Sequence, residues 1–449
     1  MGQTMTRLKR YLLAAGVAGL FQVNTAFGTN PLIMDQFTAD PTARVFDGKI
    51  YVYPSHDIPV VPGKGRPGWF CMEDYHVFSS ENLTDWKDHG VIVSQTAVDW
   101  VDPTSYSMWA PDCVFKNGRY YFFFPAIAKA GKFAIGVAIA DRPTGPFKPE
   151  PGPVAGVQGI DPCVFIDHDG SAYLFYSRRQ IFVAKLKDNL LELDAPPRVV
   201  ENLPAQGLLE GPFVFERKGI YYLTYPHAEH KTERLEYATS EHPLGPFKPA
   251  GVILDESPSG CWTVHHSIVE YQGQWYLFYH DKDLSPDFDK NRSIRADALF
   301  FNADGTIRKV IPTLRGVGVV AAKSKIQIDR YSATSGDGEA VSFLNPANPH
   351  EGWKISLAGA SSWVRFNGVG FGQRDLRTVE VRAVSAKGGA IEIRLDQPDG
   401  PVLGRVEIGA GSAWTIIHSP VQNVPPGVHD LVVTQTGNTQ VELDWISFK

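Results

Sequence analysis

Five times along the chain a glycine opens a short aromatic-rich run: Gly48-Lys49-Ile50-Tyr51-Val52-Tyr53, Gly118-Arg119-Tyr120-Tyr121-Phe122-Phe123, Gly170-Ser171-Ala172-Tyr173-Leu174-Phe175, Gly219-Ile220-Tyr221-Tyr222-Leu223-Thr224 and Gly273-Gln274-Trp275-Tyr276-Leu277-Phe278. The glycines stand 70, 52, 49 and 54 residues apart. A period near 50 residues holds four short strands but no independent core, so each unit must bury its faces against its neighbours. Units of that kind set radially form a β-propeller, here one of five blades. A second echo agrees with this: Pro143-Thr144-Gly145-Pro146-Phe147-Lys148-Pro149 recurs as Pro243-Leu244-Gly245-Pro246-Phe247-Lys248-Pro249, two repeats later. The 26 Phe, 17 Tyr and 10 Trp, with 42 Gly and 33 Pro, suit strands and turns.

Before each glycine lies another strand-like run that opens on a polar residue beside Pro or Gly: Asp40-Pro41, Pro111-Asp112, Asp161-Pro162, Glu210-Gly211-Pro212 and His265-His266. First strands line a propeller's central channel, so the opening ends of these runs meet at one rim. Three blades thereby deliver Asp40, Asp161 and Glu210 to one concave place. Taken singly, each carboxylate reads as a turn residue; at matching phase in otherwise apolar repeats, together they mark a site. The first glycine interval is about 20 residues longer than the others, mostly within residues 55–79. Loops of that length usually carry function. Trp69 and Phe70 in it can wall a site by stacking on the C–H face of a sugar, or can plug the loop onto the propeller.

Two carboxyl groups are what cleavage of a glycosidic bond requires. One must be protonated to donate to the leaving oxygen, and the other ionised to take a proton from water. A third carboxylate near the acid raises its pKa by like-charge repulsion.

Arg7, Lys9 and Arg10 precede an apolar run over residues 11–21, followed by Asn24, Thr25, Ala26 and Gly28. Residues 1–28 read as a signal peptide for secretion to the periplasm or medium, since the run is about half the ~20 residues that span a bilayer. Its removal takes the net charge from −6 to −6 − 3 = −9. No other segment is apolar enough to span a membrane, and no basic field exists to hold nucleic acid. Four Cys are too few for a disulfide scaffold. Cys113 and Cys163 sit in apolar runs as small buried residues.

Residues 29–320 thus read as the propeller. From residue 325 to 449 the repeat gives way to period-two alternation, as in Ile391-Glu392-Ile393-Arg394-Leu395-Asp396, with turns at Pro398-Asp399-Gly400 and Pro425-Pro426-Gly427. That pattern predicts a β-sandwich of jelly-roll type, making the chain all-β.

The strings Thr38-Ala39-Asp40-Pro41, Trp109-Ala110-Pro111-Asp112, Gly159-Ile160-Asp161-Pro162, Glu210-Gly211-Pro212 and His265-His266-Ser267 resemble glycoside hydrolase family 43 over residues 30–320. The resemblance implies an inverting, exo-acting, cofactor-independent hydrolase that releases α-L-arabinofuranosyl or β-D-xylosyl units from plant hemicellulose or its oligosaccharides. It makes Asp40 the general base, Glu210 the general acid and Asp161 the residue that tunes and orients the acid. It also implies substrate contacts from Trp109, Trp69, Phe70 and His266, the last a candidate holder of calcium or water at the channel centre. An arginine of the sugar pocket falls on Arg292 or Arg295; two apart on a strand, they face the same side and are not distinguished. Ion pairing with Asp297 is the structural alternative. The strings Trp363-Val364-Arg365-Phe366, Gly427-Val428-His429-Asp430 and Leu443-Asp444-Trp445 resemble carbohydrate-binding module family 6, which implies a structural calcium held by Gln327, Asp329 and Asp444. Aligned to that family, the second stacking aromatic falls on Ile417 and the cleft Asn on Glu442, leaving Trp353. Two alternatives remain. One is a retaining fructan or sucrose hydrolase, whose Arg-Asp-Pro and Glu-Cys motifs are replaced here by Ile160-Asp161-Pro162 and Glu210-Gly211. The other is a non-catalytic sugar-binding propeller, against which all three acids are retained.

Overall fold

A computed structural model describes residues 29–348, 351–373 and 375–449; the segment read as an export signal lies outside them. Among the described residues the named elements are strands, with one 3₁₀ turn at Gln95–Ala97, and no helix is long and apolar enough to cross a membrane.

Each repeat glycine ends a hairpin turn. Asp47-Gly48, Asn117-Gly118, Lys218-Gly219 and Gln272-Gly273 all have both residues at positive φ, between 50° and 81°. This is the two-residue turn whose twist matches that of the paired strands, and it explains why glycine recurs at the second position. The third repeat uses a longer loop, closed by Gly170 N–H donating to Asp167 O at 2.9 Å.

The hairpins extend into five antiparallel sheets. Blade 1 comprises Phe37–Phe46, Lys49–Asp57, Asp74–Ser80 and Lys87–Ser94. Blade 2 runs from Asp112–Lys116 to Lys148–Pro149, blade 3 from Ile160–Ile166 to Arg198–Val199, and blade 4 from Phe213–Arg217 to Lys248–Leu254. Blade 5 has three strands, His266–Tyr271, Gln274–Asp281 and Ser293–Leu299. The two Gly-Pro-Phe segments lead into the fourth strands of blades 2 and 4. Leu32 N–H donates to Ile294 O (2.9 Å) and Thr38 N–H to Arg292 O (3.0 Å), so the start of the propeller closes the ring against blade 5.

Aromatic side chains fill the wedges between blades. Tyr53, Phe122 and Phe124 pack between blades 1 and 2, and Phe175, Tyr222 and Tyr279 join blades 3, 4 and 5. All four cysteines are buried and free.

Two six-stranded sheets follow, one built around Trp363–Gly372 and Gly427–Gln435, the other around Thr378–Val384 and Val441–Phe448. Their inner faces share one core containing Ile355, Phe366, Val381, Ile393, Leu431 and Ile446. This is the expected sandwich, but it begins earlier than residue 325. Val320–Ala321 pairs in parallel with Val369 and Gly370, and a two-residue strand carries no period by which a sequence could reveal it.

Candidate active site

The rim ends of the first strands meet at a pocket with about 530 Å³ of empty space, lined among others by Asp40, Asp161, Glu210, Arg292, Trp109 and His265. Asp40 and Asp161 are turned into it by one repeated device. Both have left-handed backbones (φ 47° and 55°), and at both the first strand slips register against the second. Asp tolerates this conformation better than most residues because its short side chain bonds locally. In each blade a serine of the second strand caps the carboxylate: Ser55 Oγ donates to Asp40 Oδ2 at 2.6 Å, and Ser177 Oγ to Asp161 Oδ2 at 2.9 Å. In blade 4 the left-handed residue is Gly211 (φ 52°), where a Cβ would lie 2.8 Å from His265 Nδ1. Glycine there lets Glu210 enter the pocket beside the imidazole.

The electrostatics of the three acids differ. Arg292 grips Asp40 with both terminal nitrogens, at 2.8 and 3.1 Å. Its Nε and backbone N–H donate to Asp57 Oδ2 at 3.0 and 2.8 Å. Burial alone would raise the Asp40 pKa, but the guanidinium, together with the neighbouring histidines and the Ser55 hydroxyl, brings the value down to about 2. The backbone N–H of Asp40 donates to His280 Nδ1 (3.0 Å), which fixes that ring as a neutral acceptor, consistent with its pKa of about 3 under burial and the charge of Arg292. Asp161 lacks a guanidinium. Burial lifts its pKa to about 7, with help from the neighbouring acids Glu210 and Asp40, against the opposing pull of His265 and the Gly211 N–H. That N–H donates to Asp161 Oδ2 at 3.0 Å, tying Asp161 to the residue next to Glu210.

Glu210 has a partner that lies outside the repeat phase. Glu233, at the entry to Arg234–Ser240, is buried and accepts from Val264 N–H through Oε2 at 2.9 Å. Its side chain is hydrogen-bonded to that of Glu210, a contact that requires a proton on one carboxyl and favours it on Glu210. Burial and then the Glu233 charge raise the Glu210 pKa well above the ordinary carboxylate range. The pocket therefore holds one carboxylate locked ionised and another kept protonated.

Trp69 and Phe70 both wall the pocket and plug their loop. They line it with Trp262, pack on that ring at 5.8 Å each, and Arg292 lies 4.6 Å over the Phe70 ring. Trp109 completes the wall against Phe133 at 5.2 Å.

Two assignments change. His265 lines the pocket in place of His266. His266 is fully buried at the start of the first strand of blade 5, with Nε2 2.6 Å from Thr224 Oγ1. Of the two arginines, Arg292 takes the pocket, while Arg295 pairs with Asp283. The parity argument does not separate them because Arg292 precedes the strand, which starts at Ser293. Asp297 is held by Thr313 Oγ1 (2.6 Å) and Tyr279 OH (2.8 Å). Blade 2 contributes no acid to the pocket lining: Asp112 binds Arg44 at 2.7 Å.

Residues 29–307 match the model for glycosyl hydrolases family 43. The chain belongs to that family. Residues 332–449 match carbohydrate binding module (family 6). A xylosidase/arabinosidase 43A from Humicola insolens is 37% identical over 326 residues, covering 62% of this chain and 98% of that protein. An arabinoxylan arabinofuranohydrolase from Bacillus subtilis is 27% identical over 91% of this chain and 89% of its own length. A solved family 43 β-xylosidase/α-arabinofuranosidase from a compost microbial metagenome, in complex with xylotriose and calcium-free, superposes with a TM-score of 0.58 at 35% identity, over 64% of this chain and 98% of that one. The chain is accordingly a glycoside hydrolase, with a five-bladed propeller and a carbohydrate-binding module.

Within this family 43 propeller His266 bears on the metal question. Thr224 Oγ1 donates to Phe213 O (3.1 Å), so it accepts from His266 Nε2–H and leaves the lone pair on Nδ1. Burial keeps the ring neutral, and Nδ1 has no partner among the described residues. Calcium prefers oxygen ligands, so this nitrogen fits a water or an ion reached through water. In the module, Asp329 Oδ2 lies 3.2 Å from Arg330 Nε, Asp444 pairs with Arg382, and Gln327 lies on an edge strand opposite Trp445. The two arginines supply the counter-charge that the sequence reading gives to calcium. The module's broad cleft is lined by Trp414, Asn438, Lys354 and Glu442. Trp353 instead packs on Phe343 at 4.2 Å, and Ile417 lies against the core.

Proposed function

We propose that this hydrolase is exported and releases α-L-arabinofuranosyl or β-D-xylosyl units from the ends of arabinoxylan-type chains, with inversion. The observation that carries the reading is the split between Asp40, held ionised by Arg292, and Glu210, held protonated beside Glu233. Water attacks the anomeric carbon and gives its proton to Asp40 as the glycosidic bond breaks. The leaving oxygen takes the proton of Glu210. Asp161 acts as a positioning residue through its bond to Gly211 N–H, and the aromatic wall offers faces for the sugar ring. The sugar class follows from the xylosidase and arabinofuranosidase relatives, and export from the basic and apolar pattern of residues 1–28. No cofactor enters the chemistry.

The test is a panel of aryl α-L-arabinofuranosides, β-D-xylosides and other aryl glycosides. Turnover of one or both pentosides above the rest, lost in Glu210→Gln, is the expected result. Turnover that survives this substitution removes Glu210 as the acid, and a preference outside the two pentosides overturns the substrate class.

A further inference from the structure

Blade 1 carries a second cluster, on the opposite face of the strand that serves the pocket. In Lys49–Asp57 the side chains of Ser55 and Asp57 turn toward Asp40 and Arg292. By strand alternation His56 points the other way. There it meets Asp74 and His76 of the neighbouring strand Asp74–Ser80. One potential ligand atom from each of His56, Asp74 and His76 lies within 4.8 Å of the other two. The imidazole rings are 4.9 Å apart. The three side chains are between 14% and 19% exposed, so an ion can reach them from solvent.

Hydrogen bonds also set up the rings as ligands. His56 Nδ1 lies 2.7 Å from Asp74 Oδ1, and His76 Nδ1 lies 3.0 Å from both oxygens of Asp88. His56 Nδ1 and Asp74 Oδ1 thus sit side by side as ligand atoms, with the ion taking the place of the hydrogen between them, while Asp88 behind His76 Nδ1 leaves that ring's Nε2 for the ion. A carboxylate behind the imidazole is the usual outer partner of a metal-binding histidine. Asp88 is in turn held by Gln36 Nε2 at 3.1 Å.

We propose that His56, Asp74 and His76 bind a first-row divalent metal ion of borderline softness, Zn²⁺ being the best fit, with water completing the coordination. Two imidazole nitrogens and one carboxylate suit Zn²⁺ and disfavour Ca²⁺, which requires six to eight oxygens. The position gives the ion a task. His56 stands two residues before the excursion over residues 58–73 and Asp74 immediately after it, and this excursion carries Trp69 and Phe70 to the pocket. Bound metal pins both feet of that wall.

The experiment uses the full chain without a purification tag, stripped with chelator and titrated with Zn²⁺ by calorimetry, with Tm measured in parallel. The expected result is a Zn²⁺ equivalent and a rise in Tm that are both lost in His56→Gln/His76→Gln. Asp88→Asn should weaken Zn²⁺ about 10- to 100-fold. Should the double variant fail to fold, Co²⁺ added to the stripped native chain reports instead: imidazole-ligated Co²⁺ absorption that excess Ca²⁺ does not remove supports the site. The proposal is overturned if the native chain takes up no more Zn²⁺ than the double variant, or if Ca²⁺ abolishes the Co²⁺ spectrum. Neither readout depends on hydrolytic activity.

Discussion

The propeller pocket and the sandwich cleft both present aromatic rings, yet they treat charge in opposite ways. In the pocket, Asp40 and Asp161 are each 5% exposed and their pKa values are driven apart, to about 2 and about 7. In the cleft, Lys354 and Glu442 pair at 2.7 Å with about a fifth of each side chain open to solvent, a geometry worth little energetically. Buried like charges force one acid to keep its proton and another to lose it, which bond cleavage demands. An open ion pair beside Trp414 and Asn438 forces no such split.

The sharpest break between the two regions is turnover. Asp40→Asn should lower kcat/KM on aryl pentosides on the order of 10²- to 10⁴-fold, while Trp414→Ala should leave it unchanged; steady-state kinetics on both variants check this. A smaller effect separates the acid from its neighbour. Glu233→Gln removes a negative charge beside Glu210, so the proton on Glu210 is held less tightly. The alkaline limb of the kcat/KM profile should then move to lower pH while the acid limb stays in place, as a pH series will show. In the cleft, Trp414→Ala should weaken retention on insoluble arabinoxylan by about 3- to 10-fold, the range for one lost aromatic contact, measured by depletion from solution. The smallest effect concerns stability. In the folded protein the Asp161 pKa is raised to about 7 from an ordinary 3.8, so the stability it contributes is present below about pH 4 and lost as pH rises through 7. Asp161→Asn should therefore raise Tm more at pH 8 than at pH 4 by thermal denaturation, at the cost of activity.

What the sequence could show followed from phase. The recurrent glycine is the second residue of a positive-φ turn in four blades, so the period and the strand pairs were legible from it. Asp40, Asp161 and Glu210 were legible because the repeat sets them at the same step. Trp262 lines the pocket from a loop before blade 5, while Glu233, just before the third strand of blade 4, and Asp57, in the second strand of blade 1, act from behind on Glu210 and Arg292, where no repeat marks them. His265 and His266 are adjacent, and only the start of the strand decides which faces the pocket. In the module, alternation revealed the sheets, but the cleft depends on loops. Trp414 stands just before the strand Thr415–Pro420, three positions from Ile417, where alignment placed the aromatic.

In the proposed mechanism Asp40 activates water and never bonds to the sugar. Proton NMR of an aryl β-D-xyloside during its first turnovers, or of the α-L-arabinofuranoside if that is the better substrate, reads this directly. Inversion predicts that the α anomer of xylose, or the β anomer of arabinose, forms first and the other appears only by mutarotation; first formation of the anomer matching the substrate would contradict it.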